Sequence, residues 1–206
     1  HPAADVRRGA RLAEIVAITY GSTDGYGFHA LEVVQALAEQ RHGGETGVHA
    51  VQCLSGDAVW KARDEGIYDA ALFQAAWDRL PRHLGRGPLE QRVKKPLLFI
   101  VEYHDGLRAH ILELNGAAGE WTAAWRYRDS DDIESTHFWT QEGRPGMHFT
   151  LLLNGIEEMI LTGKPTWPVE RTLMTSGLLD ALLVSRSRDG KRIETPHLTF
   201  SYRPTW

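Results

Sequence analysis

Two tight-turn signals in the middle of the chain limit its fold more than any other feature. Asp105-Gly106 and Asn115-Gly116 separate three apolar-rich runs, Leu97 to Tyr103, Leu107 to Leu114 and Glu120 to Tyr127. Asp-Gly and Asn-Gly adopt the positive φ values of a two-residue turn at little steric cost, and that turn matches the twist of the strands it joins. The pattern therefore predicts three strands of an antiparallel meander. Leu12 to Tyr20 and Val48 to Leu54 read as earlier strands with near-continuous apolar character, Glu134 to Thr140 as a further one, and His197 to Tyr202 as the last.

Helical periodicity surrounds this meander. Phe28, Leu31, Val34 and Ala38 recur on one face of a segment starting near Tyr26 and ending before Gly43. Asp57 and Asp69 are placed to cap helices running to Arg63 and Leu80, because an Asp side chain accepts from free N–H groups at a helix start. Pro81 to Arg92 reads as a loop, and His148 to Leu161 and Pro168 to Ser185 as the closing helices. The fold class expected is α+β: an open, mainly antiparallel β-sheet with helices packed on one face, residues 1–206 forming one domain. Of the seven tryptophans, Trp121 and Trp125 lie four apart on one strand and share a sheet face. Their rings suit stacking on a sugar, or packing in a core or a dimer interface.

Composition closes off several functions. The net charge is −4 with Lys and Arg scattered, so no basic stripe points to nucleic acid or an anionic membrane. The acidic run Asp129 to Glu134 lacks the glycine turn and closing Glu of a calcium loop and reads as a solvated loop. The single cysteine, Cys53, excludes an internal disulfide and reads as a buried small hydrophobe. No run approaches the roughly 20 apolar residues of a membrane helix. With no signal segment visible and His1 as the first residue, the expectations are an excised or processed chain and, by default, a cytoplasmic location.

The stretch GKPTWPVERTLMTSGLLDALLVSR, running on to RIETPHLTF, is the most specific in the chain. Gly163 suits the left-handed turn past a helix end, and Pro168 suits the first turn of the next helix, where its missing N–H has no partner to lose. Met174, Leu178, Leu182 and Ser185 follow on one face with Arg171 beside them, so Arg171 needs a carboxylate. A structural ion pair and a substrate contact both remain open for it. This succession of GKP, PxER, leucine-rich, SR and PxL elements resembles the carboxy-terminal end of bacterial Gfo/Idh/MocA-type oxidoreductases, a likeness extending from about Leu12 to Tyr202. The resemblance implies a two-domain parent. A Rossmann half, absent from this chain, would bind NAD(P), and this half would bind a sugar, polyol or related carbonyl compound and form homo-oligomers, such as a dimer, through the open sheet face.

Chemistry concentrates at STDGYGFHALE, Ser22 to Glu32. Polar side chains and glycines open a helix there and place His29 in its first turn, where the positive helix end favours a neutral imidazole able to act as base or donor. In the oxidoreductases the corresponding helix start reads D-x-G-x-H-x-x-D, with the Asp and His serving substrate binding and proton transfer. Gly27 and His29 match, Gly25 stands at the first Asp with Asp24 one residue earlier, and Glu32 stands at the last. The candidate catalytic residues are His29 and Asp24, and the candidate substrate contacts are Tyr26, Glu102, Trp121, Trp125 and Arg171. No cofactor or metal ligand set is assigned to this chain, although His104, His110 and Glu102 could be drawn as a metal site. A non-catalytic binding or dimerisation module and a stand-alone lyase or hydrolase using His29, Asp24 and Glu102 are the alternatives.

Overall fold

The computed structural model of the chain describes residues 5–139, 146 and 149–204, without the side chain of Asp24. One sheet of seven strands organises it, in the order β6-β5-β1-β4-β3-β2-β7. The strands are β1 (Leu12–Thr19), β2 (Val48–Ser55), β3 (Leu97–Tyr103), β4 (Arg108–Glu113), β5 (Trp121–Tyr127), β6 (Ile133–Phe138) and β7 (Ile193–Glu194). The helices are α1 (Thr23–Ala38), α2 (Asp57–Asp64), α3 (Ala70–Asp78), α4 (Leu89–Arg92), α5 (Thr150–Thr162) and α6 (Val169–Ser187). The α+β class and the open, mainly antiparallel sheet are as the sequence indicates.

The meander differs in one respect. β3 and β4 form the hairpin announced by Asp105-Gly106, with Glu102 opposite Arg108. β4 and β5 are not neighbours, because β1 lies between them, parallel to β4 and antiparallel to β5. β1 is apolar and buried along most of its length, so the interior of the sheet is where it loses least. Residues 114–120 therefore cross the end of β1 instead of making a two-residue turn. Asn115 fastens that crossing: Gly21 N–H donates to its Oδ1 at 2.8 Å, and its Nδ2 donates to the Gly21 carbonyl at 2.7 Å.

Alternation along the strands feeds two apolar layers. Ile15, Ala17, Phe99, Val101, Ile111, Trp121 and Trp125 face α1 and α6, meeting Leu31, Val34, Leu37, Met174, Leu178 and Leu182. Val16, Ile18, Leu98, Ile100 and Leu112 face the opposite way, against Val59, Ala62, Leu72 and Ala76 of α2 and α3. Each fully buried Val, Leu, Ile, Phe or Met side chain among them contributes about 1.5–3 kcal/mol. Helices thus cover both faces, not one, because 57–78 folds back under the sheet. The expected open face for oligomerisation is occupied by α2 and α3.

Local chemistry explains the helix limits. The Ser22 side chain accepts from Gly25 N–H at 3.2 Å, so α1 begins at Thr23, three residues before Tyr26. Asp69 caps α3 through Ala71 and Leu72 as predicted, whereas Asp57 is the first residue of α2 and Gly56 its cap. Gly163 closes α5 at φ 65°, in the left-handed region. Gly177 permits close approach, since a Cβ there would lie 2.6 Å from Cδ2 of Leu198. The last predicted strand is replaced by the two-residue β7, a 3-10 turn at Pro196–Leu198 and an isolated bridge between Glu45 and Tyr202. Thr140 and His148, at the ends of predicted elements, lie outside the described residues. α5 stands apart from both layers, with Leu151, Leu152, Leu153, Ile160 and Leu161 exposed.

Candidate functional site

β1 delivers the chain to the carboxyl end of the strand, and the turn from Tyr20 to Ser22 redirects it into α1. Register places Trp121 at the same end, since its neighbour Thr122 pairs with Ile18. Tyr26, 41% exposed, has its ring centroid 6.2 Å from that of Tyr20 and 6.1 Å from that of Trp121. His29 is exposed one turn on, 6.2 Å from Tyr26 and 6.4 Å from Trp121. The edge-to-face angle of 79° between Tyr26 and Trp121 suits their quadrupoles. Trp121 itself is buried, and its indole N–H has no acceptor among the described residues.

Three predicted contacts, Tyr26, His29 and Trp121, are therefore brought together. Because α1 starts at Thr23, His29 falls in its second turn instead of its first. The helix dipole acts mainly within the first turn, and His29 lies beyond it. The Asp24 side chain lies outside the described residues.

The other predicted contacts go elsewhere. Trp125 is wholly buried in the layer under α1 and donates to the Tyr127 hydroxyl at 3.0 Å, which makes it a core residue. Glu102 is five residues back along the β4 register from Glu113, hence roughly 16 Å toward the opposite end of the sheet. There it takes a bidentate bond from Arg192 at 2.6 and 2.8 Å, and that hydrogen bond holds its carboxyl below the usual range. Convergence of Glu102 with His29, which the stand-alone lyase or hydrolase requires, is absent.

Arg171 is the architectural pair that its place on α6 called for. It bonds Glu39 at 3.0 Å and also Glu32, the residue standing at the last acid of the family pattern. Burial pushes the Glu39 carboxyl above its ordinary pKa despite the guanidinium beside it. The drawn metal site also fails. His110 is buried on the α3 side, its Nδ1 2.9 Å from Glu14 but poorly aligned, while the His104 ring lies near that of His49, centroids 5.6 Å apart and tilted by 56°. Among the described residues no three His, Cys, Asp or Glu side chains are grouped to hold a metal. Cys53 is buried and its thiol is pushed up to about 12 by desolvation, far from a reactive thiolate.

The sequence reading missed a cleft of about 820 Å³ bordering the same turn. Gly21, Ser22 and Thr23 form one wall, Ser55, Gly56 and Leu97 another, and Arg92, Lys94, Lys95 and Arg186 bring positive charge. Glu113, buried at the end of β4, accepts from the Thr23 hydroxyl at 3.2 Å, and Arg186 donates to that same hydroxyl at 3.3 Å. The cleft assembles from five distant segments, and the local signal was the Lys94-Lys95 pair before β3.

The described residues do not carry the glycine fingerprint of a dinucleotide-binding βαβ unit after β1. Gly21, Gly25 and Gly27 after β1 lack the G-x-G-x-x-G spacing, and β2, which follows α1, pairs antiparallel with β3 instead of parallel with β1.

The chain matches no protein-family model and none of the curated proteins. Among solved structures it is similar to an aldose-aldose oxidoreductase from Caulobacter crescentus complexed with glycerol, at 14% identity and a TM-score of 0.43. That likeness covers 89% of this chain and 55% of the other, so the chain spans just over half the length of that structure. Among the described residues no helix is long and apolar enough to cross a membrane.

Proposed function

We propose that this chain is the substrate-binding part of an oxidoreductase-like protein acting on a sugar, polyol or related carbonyl compound, with the NAD(P)-binding half carried outside it. The observation that supports this reading most is the meeting of Tyr26, His29 and Trp121 at the carboxyl end of β1, two of them exposed around the buried indole. Aromatic rings offer flat apolar faces to the C–H side of a sugar ring, and an imidazole beside them can bond a hydroxyl. His29 brings to this ring cluster an imidazole, a group able to serve as general acid or base. The resemblance carried by the PxER helix supports the same class.

Binding is measurable on the chain as it stands. Titration with neutral aldoses and polyols, followed by NMR of the His29 ring and by tryptophan fluorescence, is expected to perturb both signals. Tyr26→Ala and His29→Gln are each expected to weaken binding about tenfold, the worth of one good polar or stacking contact. Saturable binding that neither substitution changes, or no response across the panel, would sink the proposal.

A further inference from the structure

We infer that the cleft beside the α1 turn binds the oxyanion group, a phosphomonoester or a carboxylate, of a small hydroxylated ligand. Four cationic side chains, Arg92, Lys94, Lys95 and Arg186, line it. None has a carboxylate within 4.0 Å among the described residues, whereas Arg41, Arg171 and Arg192 are all ion-paired. Arg92 is fixed by a 2.6 Å bond to the Leu84 carbonyl and lies over the Trp77 ring, so its charge is held in place. Lys94 and Lys95 are exposed at the rim and free to close on an anion. Four like charges beside the single lining acid Glu113 repel one another, and an anion placed among them relieves that repulsion.

The backbone reinforces the charge. Both α1 and α2 begin at this cleft, at Ser22 and Gly56. Gly56, at φ 62°, caps α2 without a side-chain hydrogen bond, which leaves the first-turn N–H groups at Asp57 and Ala58 without a capping side chain. Asp57, acidic in that turn, sets a limit on the charge.

Glu113 decides what else the ligand carries. Its buried carboxylate, held by Thr23, would repel a bare anion placed against it. It accepts hydrogen bonds from hydroxyls, and Asn115 and Ser22 offer further polar groups on the same wall. A ligand with an oxyanion toward Lys94, Lys95 and Arg186 and hydroxyls toward Glu113 satisfies both ends. The anion is assigned from charge and geometry and does not depend on the aromatic cluster at His29, whose residues are not among those lining the cleft.

Three compounds on one carbon frame test this: glycerol phosphate, glycerate and glycerol, each titrated at constant ionic strength and followed by backbone NMR. The first or second is expected to shift the Ser22, Gly56 and Asp57 amides saturably, with glycerol at least about tenfold weaker, and the tighter of the two identifies the oxyanion. Lys94→Gln with Lys95→Gln is expected to weaken the anion by about tenfold or more, while Lys61→Gln, a surface lysine elsewhere, leaves it unchanged. Equal affinity for glycerol and the anions, shifts spread over all surface lysines, or indifference to the double substitution would overturn the assignment. Neither variant touches Tyr26, His29 or Trp121, so a failure here leaves the neutral-sugar binding test standing.

Discussion

The two ends of the α1–α6 pair use similar residues for opposite purposes. At the far end, polar groups form an unbroken chain. Arg171 bonds Glu39, the Tyr202 hydroxyl donates to Glu39 at 2.8 Å, and Gln35 donates to both Tyr202 and Glu45. Glu45 also accepts from the Thr46 and Gly47 amides, and Arg41 reaches Asp105 at 2.8 Å. At the near end, Lys94, Lys95 and Arg186 border a cleft, and Tyr26 and His29 are exposed. The contrast shows where the protein satisfies its charges internally and where it leaves capacity for something else.

The strongest way to break this comparison is at Arg171. Arg171→Met leaves the fully buried Glu39 side chain without its cation and is expected to cost about 3–5 kcal/mol in urea unfolding, as for other broken buried pairs. Adding Glu32→Gln and Glu39→Gln is expected to recover much of that loss. A single substitution costing under about 1 kcal/mol would mean that the far end is not architectural.

A smaller effect is expected at Asp105. Its burial would raise its pKa, but the Arg41 guanidinium outweighs this and holds the carboxyl below the ordinary range. A lowered folded pKa contributes stability that is present above the unfolded pKa and lost as pH falls through the folded one. The stability difference between the native chain and Asp105→Asn, about 1 kcal/mol near neutral pH, should therefore vanish in acid. Glu39 carries the opposite sign: its carboxyl is raised, so protonation on acidification relieves the cost of its buried charge. Urea titrations across a pH series read both.

The smallest effects on stability belong to the near end. His29→Gln and the Lys94→Gln, Lys95→Gln pair are each expected to change unfolding free energy by no more than about 0.5 kcal/mol while changing binding. A loss several times larger, measured by thermal unfolding, would mean that these side chains also serve the architecture.

How far the sequence is legible follows the same division. Local rules place α1, the cap at Asp69, the β3–β4 hairpin and the Arg171 pair, because each depends on residues close in sequence or on an unavoidable charge. The insertion of β1 between β4 and β5, and the return of α2 and α3 beneath the sheet, depend on competition for buried positions that no local pattern records. Trp121 and Trp125 have the same spacing signal and share the buried layer, yet only Trp121 meets the ring cluster, since it is the first residue of β5, at the sheet end, and Trp125 lies four residues inside it. The cleft was missed for the same reason: Ser22, Gly56, Lys94, Glu113 and Arg186 become neighbours only after the strands are ordered.

The central place of β1 has a consequence for how the molecule is made. Its partners are Arg108 to Glu113 on one side and Thr122 to Tyr127 on the other. A ribosome therefore releases this apolar strand long before either partner exists, and closing so wide a loop slows the search for the native pairing. Within this sheet the earliest strand in sequence is among the last to be satisfied. Until then it is an unprotected edge on which misassembly can start.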